Sequence, residues 1–181
     1  AYTFSQPSKL EAEITAHSDF QPAELLQNKV DVQWFRRMYQ TLGAARWAAV
    51  IKAAKYATLN NDHARPVLYS RVLLGEVSEE ELWARIDSKR HQESVRAFGL
   101  IPLPEYPLAR IETIQRRYLA LQTFLRGSHK FGVQRRENEG AAVSLAIARL
   151  SQMAGYADPQ RLIWAMEALE ASDLHNGQRT E

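Results

Sequence analysis

Cysteine is absent from the 181 residues. Disulfides, thiolate metal sites and a cysteine nucleophile are therefore excluded, and the absence fits a reducing compartment. Glycine and proline are sparse, at 8 and 7 residues, so neither a collagen-like nor a low-complexity chain is at hand. No window approaches 18 consecutive apolar residues, and no membrane-spanning helix is expected. Lys9, Glu11, Glu13, Asp19 and Glu24 interrupt the first 30 residues, which leaves no apolar core for a signal peptide. The expected address is cytoplasmic, with no membrane partner. Runs of β-branched residues bounded by turns are also missing, so no sheet is expected.

What is present is helix patterning on an ordinary globular composition, 45% hydrophobic and 24% charged, which argues against disorder. Residues 1–30 read as a loop-rich lead-in, with short helices suggested by Ser8 and Pro22. Asp31 is placed to cap a helix carrying Val32, Phe35, Met38, Tyr39 and Leu42, which Gly43 ends. A second helix, 44–58, sets Trp47, Val50, Ile51 and Ala54 on one face. Asn60, Asn61 and Asp62 form a turn, and a helix with Pro66 near its start runs on to Gly75. Ser78 and Glu81 have capping-box spacing, and Glu79 and Glu80 suit the positive end of the helix that follows. That helix buries Leu82, Trp83 and Ile86 and bends near His91 before Val95 and Phe98.

Residues 99–107 hold three prolines and cannot be helical; they are expected to connect a sub-bundle over 31–98 to one over 108–174 within one compact domain overall. In the second, Ile111, Ile114, Tyr118, Leu121 and Leu125 recur at the spacing of one packed seam. Residues 127–135 read as a loop and 136–154 as a helix stopped by Gly155. Asp158 and Pro159 open a last helix with Leu162, Ala165, Met166 and Leu169 inward. Residues 175–181 read as a frayed tail. The fold class is all-α, a bundle of about seven to nine helices or a helical-hairpin array.

Three strings, KRHQESVRAFGL (89–100), FLRGSHKFGVQRR (124–136) and AGYADPQRLIWAME (154–167), resemble the large bacterial MolR-like proteins that carry domain of unknown function 4132, sometimes behind a WGR domain. The resemblance spans roughly residues 31–174. It implies an internal helical region of a long multidomain chain, and it supplies no active-site residues.

Chemistry-bearing constellations weigh little against plainer readings. Gly127, Ser128, His129 and Lys130 combine nucleophile, base and cation types, but adjacent residues diverge where catalysis needs convergence. Asp62 with His63, and His91 with Glu93, lack the spacing that puts two metal ligands on one helix face. Glu79, Glu80 and Glu81 fit a first helical turn. The glycines form no nucleotide-binding fingerprint. Trp34, Trp47, Trp83 and Trp164 lie on or beside apolar stripes and fit core packing, with an exposed anchor the rarer role. No catalytic residue, metal site or cofactor is assigned, and an enzyme assembled from distant helices is the least favoured class.

Charge is the sharper signal. Net charge is only +2, yet Tyr106 to Arg136 holds seven Lys or Arg against the single acid Glu112. Arg110 and Arg117, seven residues apart and off the apolar seam, are both expected to face solvent. Arg126, Lys130, Arg135 and Arg136 cluster where the chain enters the next helix, a setting that suits phosphate or carboxylate. The leading expectation is a non-catalytic scaffold or interaction module of a larger protein, whose partners are the parent's other domains or a second protein. The alternative is nucleic-acid or phosphate binding through 106–136. The plainer account of the arginines is pairing with Glu137, Glu139 or acids on neighbouring helices.

Overall fold

The structure, a computed structural model, describes residues 16, 30–57 and 63–177. The expected lead-in helices and the Asn60–Asp62 turn lie outside these. Seven α-helices and no strand are found among the described residues: α1 (Val32–Ala57), α2 (Ala64–Leu73), α3 (Glu79–Lys89), α4 (Gln92–Phe98), α5 (Pro107–Arg126), α6 (Val133–Ala154) and α7 (Pro159–Gly177). The chain forms two compact units, 1–64 and 65–181.

In the first unit Asp31 Oδ1 accepts from the Trp34 N–H at 2.8 Å and so caps α1. Gly43 breaks α1 in its middle, with φ 73° and ψ 166°. The break brings Trp47 back edge-on to Phe35, ring centroids 5.2 Å apart, with Tyr39 stacked beside Phe35. A straight helix would hold residues 35 and 47 about 18 Å apart. Val50 does not join this inward face and is exposed. The backbone at Gly43 is accessible almost only to glycine, and a Cβ there would meet nothing within 4 Å. Gly43→Ala is therefore a purely conformational change, expected to destabilise the 1–64 unit by about 2 kcal/mol. Amide exchange across 44–57 should accelerate accordingly; unchanged protection would show that the break is not required.

The second unit follows its caps closely. Ser78 Oγ accepts from the Glu81 N–H at 3.1 Å, and Asp158 Oδ1 from the Arg161 N–H at 2.9 Å. Arg90 closes α3 in the left-handed region at φ 51°, and His91 caps α4 by accepting from the Ser94 N–H. α4 packs on α3 and α6, α5 on α6, and α6 on α7. Val72, Leu82, Val95, Leu100, Leu121, Ala142, Ala146, Leu150 and Leu162 are fully buried at the centre. Residues 99–106 are non-helical, one residue short of the expected segment because Pro107 is helical, but they do not separate sub-bundles. Because α4 and α6 pack directly, this segment is a crossing inside one unit, and the break between units lies at residues 64 and 65.

Three boundaries differ from the sequence reading. α5 begins at Pro107, whose fixed φ suits a first helical position. Residues 127–130 form a 3₁₀ turn and α6 starts at Val133, so the expected loop over 127–135 is largely helical. α7 extends to Gly177, into the expected tail.

Candidate functional site

The basic stretch 106–136 occupies α5, the 3₁₀ turn and the first turn of α6, and it does not form one solvent-facing surface. Arg117 is 3% exposed. Its guanidinium donates to a Glu79 carboxylate oxygen at 2.8 Å and to the carbonyl oxygens of Ile101 and Pro102. Burial pulls its pKa below the usual arginine value, while Glu79 works in the opposite direction. Arg110 is half-buried and donates to the Met153 carbonyl at the C-terminal end of α6, at 2.8 Å. The expectation that both face solvent fails because their acceptors lie far along the chain. Arg116 pairs with Glu79 at 3.0 Å from an exposed position.

At the other end of α5, Glu139 is completely buried although it is charged. It is matched by two guanidinia: Arg90 donates to both of its oxygens, and Arg135 Nε donates to Oε1 at 3.0 Å. These hydrogen bonds, Arg90's foremost, hold the carboxyl below its ordinary value against the opposing effect of burial. Arg90 also donates to the Phe124 carbonyl at 2.8 Å and lies 3.9 Å from the centroid of the Phe124 ring. One side chain from the end of α3 thereby joins α5 to α6. The expected pairing with Glu139 is found for Arg135, and Arg90 is the member that charge counting over 106–136 missed. Its left-handed backbone has no marker in the sequence.

Arg126 donates to Thr123 Oγ1 at 3.1 Å, and Arg126, Lys130 and Arg136 are exposed. In the 3₁₀ turn, Ser128 Oγ donates to the Leu125 carbonyl and His129 Nδ1 is hydrogen-bonded to that of Arg126. Both side chains turn back onto α5, and no nucleophile–base pair results. Across the described residues no three His, Asp or Glu converge on a common point.

A sequence model of the family described as Family of unknown function (DUF5724) matches residues 3–166. The chain belongs to that family. No curated protein matches the chain, and no solved structure does.

This DUF5724 member has a second polar cluster between α2, α4 and α6. Tyr69 donates to Glu93 Oε2 at 3.0 Å, Arg65 and Arg96 pair with the same carboxylate, and Arg149 donates to the Arg96 carbonyl at 2.7 Å. Arg149, 2% exposed, lies 4.2 Å from the centroid of the Tyr69 ring. Burial raises the Tyr69 pKa and lowers that of Arg149. For Glu93, burial pushes upward, but Arg96, Tyr69 and Arg65 together hold it below the carboxylate norm. Like the Glu139 cluster, this one joins helices.

The tryptophans divide. Trp83 packs on Phe98 at 5.5 Å, whereas Trp164 is 62% exposed. Trp164 lies two residues from both Leu162 and Met166, which are buried, and so occupies the opposite face of α7. Leu108 and Ile111, three residues apart on α5, are 59% and 49% exposed. Ile111 was expected in the seam; the buried face of α5 runs instead through Ile114, Arg117, Tyr118, Leu121 and Phe124.

Proposed function

We propose that the chain is a non-catalytic helical interaction module of a larger cytoplasmic protein, docking on other parts of that protein or on a protein partner. The observation that carries this reading is the pair Leu108 and Ile111, open on the outer face of α5 while the arginines beside them are drawn inward. Exposed Trp164 adds a side chain suited to anchoring an interface. Both large polar clusters tie helices to one another, and none of their members is presented to a substrate. The resemblance to bacterial MolR-like proteins supports a long parent chain. The absence of cysteine fits a reducing compartment, and no described helix is long and apolar enough to cross a membrane.

The test is association in trans with the rest of the parent polypeptide, followed by analytical ultracentrifugation. Leu108→Asp with Ile111→Asp should weaken binding about tenfold while leaving the melting temperature unchanged, since neither side chain is buried. Equal affinity of the native chain and this variant would overturn the reading. Phosphate or nucleic-acid binding through 106–136 is the rival, and it has lost Arg110 and Arg117 to internal bonds.

A further inference from the structure

The turn between α5 and α6 presents a surface of another kind. Phe131 is half-buried, and three cations lie against its ring: Arg135 with its guanidinium carbon 3.9 Å from the centroid, Arg90 at 5.1 Å and the Lys130 ammonium at 5.5 Å. The carboxylate among them, Glu139, is fully buried and engaged by Arg90 and Arg135. Arg126, Lys130 and Arg136 are exposed and form no ion pair among the described residues. Within residues 126–139 Glu137 is the other acid, against four Lys or Arg, so positive charge is in excess along this segment. Val133, 61% exposed, adds an apolar contact between Lys130 and Arg136.

We infer that this turn docks an acidic protein segment, one that carries an apolar side chain among its carboxylates. The inference rests on the reading of the chain as an interaction module and names the chemistry of a partner at a surface separate from Leu108 and Ile111. Carboxylates meet Lys130, Arg136 and the exposed edge of Arg135, while the apolar side chain meets Val133 and Phe131. Nucleic acid fits less well on two counts. A single strand gains most from stacking a base on an open aromatic face, and here a guanidinium already lies against the Phe131 ring. A duplex needs unpaired cations spaced along its backbone, and those further along α5 are engaged: Arg110 with Met153, Arg117 with Glu79 and Ile101, and the exposed Arg116 with Glu79.

The experiment is fluorescence anisotropy on the whole chain with three labelled probes: a peptide of glutamates interrupted by leucines, a peptide of the same length with glutamate only, and an oligonucleotide of matched charge. The glutamate–leucine peptide should bind most tightly and weaken as salt rises. Lys130→Glu with Arg136→Glu should reduce its affinity about tenfold, and Val133→Asp several-fold, each with an unchanged melting temperature. Leu108→Asp with Ile111→Asp should leave peptide binding intact, which separates this surface from the one proposed above. Undetectable peptide binding, equal binding by the charge-reversed variant, or tighter binding of the oligonucleotide would each overturn the inference. Peptide binding by a native chain that does not associate with the rest of the parent polypeptide would count against the α5 surface alone.

Discussion

Gly99→Ala is expected to cost the 65–181 unit about 3 kcal/mol, visible as a large drop in the denaturant midpoint. Gly99 follows α4 at an ordinary φ of −70°, so the residue is not needed for backbone freedom. It is needed for proximity. A Cβ at this position would lie 2.1 Å from the Ala146 carbonyl oxygen and 3.0 Å from both the Ala146 carbonyl carbon and Arg149 Cβ. These are largely backbone atoms of α6, a helix buried along that face, and they cannot swing aside as a side chain's end can. α4 and α6 would have to part, opening the contact that holds Ala97, Phe98 and Leu100 in the core. Gly127→Ala is the control. Its nearest neighbour would be Arg90 Nη1 at 3.2 Å, which need shift by only a few tenths of an ångström, and a much smaller change is expected. Equal effects at the two positions would refute the close-approach argument.

Glu139→Gln is expected to destabilise the same unit by about 3 kcal/mol, the scale of breaking a buried ion pair from one side. Arg90 would keep its charge in a half-buried site between Phe124 and Glu139 with a neutral amide in place of the carboxylate. Arg135, with a side chain 46% exposed, can recover water and adds little to the loss. The pH dependence has a definite sign. The carboxyl in the folded protein sits below its ordinary value of 4.5. Its contribution is therefore complete above 4.5 and is lost as pH falls through the lower, folded-state value. Glu93, shifted in the same direction, acts over the same window. Native protein should thus lose stability steeply on acidification. The gap between native and Glu139→Gln midpoints should narrow below pH 4.5. A gap that is constant with pH would mean that the ion pair is not what the substitution removes.

Local chemistry was legible wherever its partners are near in sequence. Asp31, Ser78 and Asp158 cap the helices they precede, because a cap needs only an acceptor two or three residues before an N–H. Gly43 breaks α1 and Gly155 closes α6 for the same reason. The seam of α5 was misread by part of a turn. Counting apolar residues put Ile111 inside and Arg117 outside, and both are reversed. Arg117 is buried because Glu79 and the Ile101 carbonyl wait for it across the unit, and no local pattern announces an acceptor 38 residues away. The basic stretch misled in the same way. Its charge asymmetry is real, but Arg110, Arg117 and Arg135 are bonded inside the fold and Arg116 is paired with Glu79, leaving Arg126, Lys130 and Arg136 as the open positions.

α4 has only seven residues, and four of them are buried. A helix of that length does not persist in water alone. It is held from both sides, by α3 just before it and by α6, which begins at residue 133. During synthesis, residues 92–98 leave the ribosome well before α6 exists. Over that interval Phe98 has Trp83 of α3 to pack on, but the α6 side of α4 is uncovered and Gly99 has no Ala146 to meet. The 65–181 unit therefore does not consolidate from its N-terminal side as it is made: α4 is completed only when α6 arrives.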